Sequence, residues 1–288
     1  MPTKPEKDHL TGQETTGHEW DGIKELNTPL PKWWLYVFYA CIVFSVVYMV
    51  LYPSIPWLSG HTDGLLDWDR RVELKQDIQE AEAAQAKWVD QIEQADLQTI
   101  AGDRELLNFS MAGGQSAFAD NCAACHGRGG AGLPGGYPSL ADDAWLWGGS
   151  LDQVHQTIAY GVRNEHQQAR ASMMPAYGNI LDQEQIRNVA HYVKSLSADV
   201  DAPERVSAGQ QVYAQQCVAC HGAEAKGNPA LGAPNLSDQI WLYGGEITEL
   251  VSQITNPQHG NMPAWEGRLD DETIKMLAVY VHTLGGGQ

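Results

Sequence analysis

Basic residues are scarce in this chain of 288 residues. It holds 18 lysine and arginine residues against 36 aspartate and glutamate residues, which gives a net charge of −18 at pH 7. A surface of this sign repels phosphate backbones, so the charge argues against nucleic acid as a partner. It would attract a basic protein, although acidic charge also serves simply to keep a protein soluble.

Cysteine is scarce as well, and the five cysteines are not spaced as in a disulfide scaffold. Cys41 lies alone in an apolar run. The other four form two Cys-x-x-Cys-His motifs, the first motif with Cys122, Cys125 and His126, the second motif with Cys217, Cys220 and His221. A zinc site would need further ligands nearby, and a thioredoxin-like dithiol would need an α/β pattern, which the sequence lacks.

Long apolar runs are limited to residues 33–51, which carry no charge. At about 1.5 Å per residue they span about 28 Å, close to one hydrocarbon thickness. Aromatic residues flank both ends, and Pro53 and Pro56 would stop a helix. The pattern predicts a retained transmembrane helix over residues 33–52, in preference to a cleaved signal peptide or a buried core helix.

Charges around this run predict its orientation. Lys24 and Lys32 precede it, whereas the first basic residues after it are Arg70 and Arg71. This asymmetry favours a cytoplasmic N-terminal segment, residues 1–32, for which we expect no independent fold. The rest of the chain would then lie in the periplasm.

Residues 53–104 are expected to form a periplasmic linker with an acidic helix over 67–100. One side of this helix carries a narrow seam, formed by Leu74, Ile78, Ala81, Gln85, Trp88 and Ile92. The seam is equally compatible with docking on a partner subunit and with packing against the chain's own neighbouring domain.

The remainder is an internal repeat with an offset of 95 residues between the two motifs. The Trp-Leu-aromatic-Gly-Gly and Met-Pro-Ala-aromatic sequences also recur, and both repeats end in a helix with one apolar face. Asp182 and Asp270 stand where these helices would have N-caps. The repeat predicts two domains, over residues 105–198 and 203–288.

Each motif is typical of covalently attached haem c. Two thiols one turn apart add to the vinyl groups, and the adjacent histidine faces the iron. We therefore predict two haems c, and a mainly α protein with one N-terminal transmembrane helix, a helical linker and two tandem class I cytochrome c domains. Glycine at Gly114 and Gly209 would let the first helix of a domain approach the last.

Met174 and Met262 are the candidate sixth ligands. Each precedes a proline, which favours an extended strap able to present a thioether to iron, although both could also be gap-filling core residues. The straps could be exchanged between the domains, but we assume that each methionine serves its own repeat. The rival ligands are His155, His166, His191 and His259. Of these, His155 and His191 lie in helical patterns without a counterpart in the other repeat and are treated as ordinary histidines.

Aromatic and arginine side chains are candidates for the haem periphery. Core packing is the favoured interpretation of the aromatic residues, over hydrogen bonding to a propionate. These residues are Trp145, Trp147, Trp241 and Tyr243. Arg163 and Arg170 are suggested as propionate partners by their charge alone.

Residues 21–34, Asp-Gly-Ile-Lys-Glu-Leu-Asn-Thr-Pro-Leu-Pro-Lys-Trp-Trp, closely resemble the start of the CcoP/FixP family. These are the di-haem subunits (subunit III) of cbb3-type cytochrome c oxidases, and the order of anchor, linker and two haem domains is similar too. The resemblance implies a relay subunit that is not an enzyme on its own. It would take electrons from a soluble or membrane-bound donor cytochrome c.

The resemblance further implies transfer to a mono-haem cytochrome c subunit and then to the haem–copper catalytic subunit, in the bacterial inner membrane. The residues carried over are Cys122, Cys125, His126, Met174, Cys217, Cys220, His221 and Met262. Two other functions are considered: a free-standing, membrane-anchored di-haem shuttle cytochrome, and a di-haem peroxidase, which would need a haem with an open or removable sixth ligand.

Overall fold

The computed structural model describes residues 4–285 and divides the chain into two compact units, with the boundary between Glu82 and Ala83. The boundary falls inside a long helix, so each unit is described by itself.

The first unit begins with a β-hairpin. Strands β1 (Thr15–Trp20) and β2 (Ile23–Leu26) pair antiparallel, with Trp20 opposite Ile23. Asp21 and Gly22 connect them, and both have positive φ, 49° and 83°, as a two-residue hairpin turn requires. The structure thus corrects the expectation that this segment has no fold of its own.

Helix α1 (Lys32–Leu51) follows, and none of its side chains is buried. Its mean hydropathy of 2.2 and its length suffice to cross a membrane, and no other helix among the described residues meets that test. The helix ends where Tyr52 becomes extended, as expected for a residue before proline. Two short strands pair after it, β3 (Pro56–Trp57) and β4 (Gly60–His61).

Helix α2 (Arg70–Gln94) is the predicted acidic helix, and its seam changes environment along its length. Leu74 and Ile78 are exposed. Trp88 is partly buried, and Ile92 is fully buried among helices of the second unit. The C-terminal half of the seam therefore packs against the chain's own domain, which is one of the two expected interpretations.

The second unit is helical. After α2 it contains α3 (Leu97–Gly102), α4 (Arg104–Asn121), α5 (Ala123–His126), α6 (Leu151–Tyr160), α7 (Gln183–Ser195), α8 (Pro203–Gln216), α9 (Val218–His221), α10 (Ile247–Thr255) and α11 (Asp271–Leu284). The predicted N-caps are present: Asp182 accepts from Gln185 N at 2.8 Å, and Asp270 accepts from Thr273 N at 2.7 Å.

One hydrophobic core, called the first core, is formed by α3, α4, α6 and α11. The rings of Phe118 on α4 and Tyr280 on α11 lie 5.5 Å apart. A β-carbon at Gly114 would overlap the carbonyl oxygen of Met276, so glycine allows α4 to lie directly against α11.

A second core is formed by α7, α8 and α10. The rings of Tyr192 on α7 and Tyr213 on α8 lie 5.2 Å apart. A β-carbon at Gly209 would overlap the carbonyl oxygen of Asn188, which repeats the close approach seen in the first core.

The helix pairing is exchanged between the two repeats. Helix α7 closes the first repeat in sequence but packs on α8 of the second, and α11 closes the second repeat but packs on α4 of the first. The two cores therefore each draw their helices from both repeats. The short connection over residues 196–202 places α7 beside α8, since consecutive elements tend to be neighbours.

The exchange gives the second unit a nested topology. The second core is continuous in sequence, from α7 to the end of α10, and the turn at Tyr177–Asn179 contacts α7 and α10. The first core is made of two separated segments, one before and one after it.

Candidate haem-binding sites

Both Cys-x-x-Cys-His motifs lie at the junction of a long helix and a single helical turn. In the first motif, the amides of Cys125 and His126 donate to the Cys122 carbonyl oxygen at 3.1 and 2.9 Å. The second motif has the same two bonds at the same distances. This turn holds the two thiols of each motif one helical turn apart, the spacing that haem attachment needs.

The motif histidines are both held by a proline carbonyl. His126 Nδ1 lies 3.1 Å from the Pro138 oxygen, and His221 Nδ1 lies 3.1 Å from the Pro234 oxygen. Because a carbonyl only accepts, Nδ1 carries the proton and Nε2 is the lone-pair nitrogen available to a metal. Burial lowers the pKa of both histidines, which favours this neutral form.

The sequence did not identify Pro138 and Pro234 as hydrogen-bond partners of the histidines, although a recurring pattern marks both prolines. Each repeat has a Pro-x-Leu sequence after its motif, ending at Leu140 and Leu236. The leucine amides donate to Gly130 O at 2.6 Å and to Ala225 O at 2.7 Å, which fastens each loop beneath its histidine.

None of the four motif cysteines takes part in a disulfide bond. Burial, together with the neighbouring Cys125, raises the pKa of Cys122 to about 11, and burial beside Cys220 raises that of Cys217 to about 11. A reactive redox dithiol has a lowered pKa, so the burial of Cys122 and Cys217 disfavours that chemistry. Among residues 4–285, no cluster of three or more His, Cys, Asp or Glu side chains is placed to hold a metal ion.

The two methionines are half-buried and lie on straps that contact each other. His259 Nε2, on the strap of Met262, lies 3.2 Å from the carbonyl oxygen of Met174. Met262 packs against the first core. Tyr177, three residues after Met174, donates its hydroxyl to Gln216 O at 2.8 Å, directly before the second motif.

Trp145 offers a test of whether the first site fits haem. It packs against the first core, as does Cys122, and its indole N–H is buried without a hydrogen-bond partner among the described residues. A buried donor of this kind costs free energy unless something accepts from it. A haem propionate at this site would supply the acceptor, so the residues present fit the group.

Trp147 and Tyr243 have a packing role across the repeats. Trp147 is buried and lies against Gly232, while Tyr243 lies against Gly136 of the first repeat. At both glycines φ is positive and a β-carbon would overlap the ring. Trp147 of the first repeat thus packs against a loop of the second repeat, and Tyr243 of the second repeat packs against a loop of the first.

Arg163 and Arg170 both lie near the Trp147 ring, at 5.9 and 5.3 Å from its centroid. Arg170 donates to Thr157, Gln153 and Gln156 of α6. Arg163 instead donates to backbone carbonyls of both methionine straps. Burial lowers the pKa of both guanidinium groups.

The rival histidines have varied surroundings. His166 Nε2 lies 3.0 Å from Glu266 Oε2, and its ring stacks on Tyr160. His155 Nε2 and His191 Nδ1 are buried without a hydrogen-bond partner among residues 4–285. Among the described residues, neither His155 nor His191 is hydrogen-bonded to a motif histidine. We therefore keep both as ordinary histidines.

Three family models match separate parts of the chain. Residues 12–59 match the N-terminal domain of cytochrome oxidase-cbb3, FixP. Residues 111–197 match cytochrome c, and residues 204–281 match cytochrome c oxidase, cbb3-type, subunit III. The two haem motifs fall one in each of the last two matches.

Close relatives match over nearly their whole length. The cbb3-type cytochrome c oxidase subunit CcoP of Azospirillum brasilense is 50% identical, over 98% of this chain and 99% of the relative. Subunit FixP of Rhizobium meliloti is 48% identical over 98% and 97%. Subunit FixP of Bradyrhizobium sp. (strain ORS 278) is 48% identical over the full length of both. With both haem motifs in place, the chain belongs to the CcoP/FixP family of cbb3-type cytochrome c oxidase subunits.

Proposed function

We propose that this electron-transfer subunit takes electrons from a donor cytochrome c and passes them through two covalently attached haems c. They would continue to the mono-haem cytochrome c subunit and the haem–copper catalytic subunit of the oxidase. The observation that carries the proposal is the pair of matching motifs, each with its histidine Nδ1 held by a proline carbonyl. Two such sites in one chain suit a relay.

The chain's own residues have distinct roles in holding the haems. The paired thiols would each add across a haem vinyl group, and His126 and His221 would present Nε2 to the iron. Met174 and Met262 would present thioethers as sixth ligands, which raises a haem's reduction potential. When bound, each haem supplies a reversible one-electron iron centre.

Two methionine straps argue against a di-haem peroxidase, which needs one open or removable sixth ligand. Met174 and Met262 stand in matching Met-Pro-Ala-aromatic sequences, and both are half-buried. We therefore assign both irons to electron transfer.

The full-length relatives are oxidase subunits, which argues against a free-standing shuttle cytochrome. The exposed N-terminal half of the α2 seam, with Leu74 and Ile78, gives a surface that a shuttle would not need. The subunit assignment is preferred for that reason.

We further propose a single membrane crossing by α1, in contact with inner-membrane lipid, with the hairpin on the cytoplasmic side and both haem sites in the periplasm. Lys24 and Lys32 precede the helix and support this orientation.

The experiment is to purify the membrane complex that carries this chain and denature it. Haem resistant to extraction with acidified organic solvent, at two per copy of this chain, is the expected result. Copurification with a haem–copper subunit is expected too. Extractable haem would contradict the attachment, and isolation as a lone chain with normal electron transfer would favour the shuttle.

A further inference from the structure

We propose that Trp147 and Tyr243 are positioning residues that act across the repeats. Trp147, from the first repeat, holds the loop that supports His221. Tyr243, from the second repeat, holds the loop that supports His126. The proposal rests on the proposed function, since it requires haem at both motifs. It adds which side chains influence the reduction potential of each haem from the neighbouring site.

The loop after the first motif carries the carbonyl that holds His126. The loop closes on itself where the amide of Leu133 donates to the carbonyl oxygen of Tyr137 at 3.2 Å. Gly136 lies inside this closed loop, two residues before Pro138, whose carbonyl oxygen is 3.1 Å from His126 Nδ1. A displacement at Gly136 therefore reaches the histidine through a short stretch of hydrogen-bonded backbone.

The loop after the second motif is built in the same way. Asn228 and Ala233 exchange two backbone hydrogen bonds, at 2.9 and 3.1 Å, and close the loop. Gly232 lies between them, two residues before Pro234, whose carbonyl oxygen is 3.1 Å from His221 Nδ1. Both loops thus have a glycine at the same distance in sequence from the carbonyl that holds the histidine.

Each of these glycines is covered by an aromatic ring of the other repeat. A β-carbon at Gly136 would overlap the ring of Tyr243, and a β-carbon at Gly232 would overlap the ring of Trp147. The two glycines have φ of 100° and 59°, so backbone conformation and lack of space both favour glycine there. Each ring therefore lies directly on the backbone of the loop that it covers.

The Trp147 ring is held firmly by its own repeat. Only 9% of Trp147 is exposed, and the guanidinium of Arg170 lies 5.3 Å from the ring centroid. Arg170 is fixed in turn by hydrogen bonds to three residues of α6. The ring is thus a fixed surface of the first repeat, against which the loop of the second repeat rests.

The hydrogen bond from Nδ1 links loop position to redox chemistry. A histidine that donates Nδ1–H to a carbonyl is a stronger electron donor through Nε2, which favours the ferric state of a bound haem. A loop that loses its aromatic cover moves its proline carbonyl away and weakens this bond. Removal of either ring should therefore raise the potential of the haem in the other repeat.

The test uses the full chain, expressed with haem c maturation and purified in detergent. Cys122→Ala with Cys125→Ala leaves only the second motif able to hold haem, and the corresponding pair of changes at the second motif leaves only the first. Trp147→Leu and Tyr243→Leu are introduced separately into each single-haem chain. The readouts are the reduction potential and the solvent exchange of the histidine Nδ1 proton, followed by NMR.

In the chain that holds only the second haem, we expect Trp147→Leu to raise the potential and to speed proton exchange at His221. Tyr243→Leu should change neither quantity there. In the chain that holds only the first haem, the two variants should exchange these effects. A shift confined to the haem of the substituted residue's own repeat would overturn the proposal, and so would the absence of any shift.

Conservative variants separate positioning from a loss of stability. Trp147→Tyr places at this position the residue that the second repeat has there, and Tyr243→Phe keeps the ring without its hydroxyl. Because both variants keep a ring over the loop, we expect both to retain the parent potentials. Shifts as large as those of the leucine variants would contradict a role of the ring itself.

The unmodified two-haem chain decides the question if the single-haem chains do not fold. A redox titration resolves its two potentials, and Trp147→Leu and Tyr243→Leu should each raise a different one. Movement of the same potential by both variants would contradict the proposal. Fewer than two covalent haems per chain would contradict the proposed function, whereas two haems with neither potential raised would contradict the cross-repeat role alone.

Discussion

Arg163 Nη1 donates a hydrogen bond to the carbonyl oxygen of Gly260 at 2.9 Å. Its Nε donates to the carbonyl oxygen of Ser172 at 3.0 Å. Each of these carbonyls lies two residues before one of the candidate ligands, Met174 and Met262. One guanidinium therefore joins both methionine straps, and Arg163 itself has a positive φ of 50°.

Arg163→Lys should disturb both haem sites at once. Lysine cannot reach two carbonyls in the fixed fork of a guanidinium, so at least one strap loses its hydrogen bond. We expect the free energy of unfolding to fall by about 1–2 kcal/mol and both reduction potentials to shift. Potentiometric titration with chemical denaturation measures both quantities.

Arg187→Lys is the matched control for this variant, because Arg187 is exposed on α7 and donates only within its own helix. A shift confined to one haem in Arg163→Lys would show that the residue does not join the two straps.

Gly114→Ala and Gly113→Ala should differ sharply although they are neighbours on α4. At Gly114 a β-carbon meets the Met276 backbone carbonyl, which cannot move without shifting α11. At Gly113 it meets the flexible end of the Met276 side chain. We expect Gly114→Ala to cost about 2–3 kcal/mol, and Gly113→Ala to stay within about 1 kcal/mol of the parent, since alanine favours helix.

Thermal unfolding of the haem-loaded chain measures this difference. Equal Tm values for the two alanine variants would mean that α4 and α11 do not pack as the structure has them.

Trp145→Phe tests whether the indole N–H serves the first haem. If it donates to a propionate, the variant should lose about 1–2 kcal/mol of stability and shift one reduction potential only. If the N–H has no acceptor, phenylalanine should stabilise the protein and leave both potentials unchanged. Redox titration and denaturation of the same preparation distinguish the two results.

Reduction by a basic donor cytochrome c should slow as salt is added. The chain's net charge of −18 attracts such a donor over a range that shrinks from about 30 Å at 0.01 M to about 8 Å at 0.15 M ionic strength. We expect the second-order rate constant to fall about tenfold over that range in stopped-flow measurements. A small neutral reductant is the control, and an unchanged rate with the donor would contradict steering.

The continuous second core predicts a fragment that folds alone. Residues 171–256 contain Met174, α7, α8, the second motif and α10. Matured with haem c, this fragment should give a six-coordinate, low-spin spectrum. The same fragment with Met174→Leu should give a high-spin spectrum. A parent fragment that is already five-coordinate would contradict the prediction.

Local features of this protein were predictable from its sequence because their causes are local. The uncharged run gives α1, and Asp182 and Asp270 begin α7 and α11 as N-caps. The repeated motifs likewise gave the two helical turns on which the candidate thiols and histidines lie.

The exchange was not predictable in the same way. Helices α7 and α11 carry one and the same apolar pattern, so either can cover α4 or α8. A hydrophobic pattern shows that a helix buries one face, but it does not show which of two similar helices that face packs against. The short connection over residues 196–202 was the available signal, since it favours direct packing of α7 on α8.

The β1–β2 hairpin and the hydrogen bonds of Arg163 differ in how clearly the sequence indicates them. The Asp21-Gly22 pair is a strong hairpin signal, and its oversight explains the missed β1–β2 hairpin. The guanidinium of Arg163 donates hydrogen bonds to backbone carbonyls of two straps that are far apart in sequence. Charge alone therefore suggested a propionate partner, whereas the structure gives the guanidinium backbone acceptors.

The nested topology also sets an order of assembly. A ribosome makes the chain from its N-terminus, so the elements of the second core are all present once α10 has emerged. The first core has to wait for α11 and the strap before it, although its cysteines are translated earlier. The haem site that is encoded first is thus the last to be completed. A truncated chain that ends before α11 would lack part of the first site, while its second site would be complete.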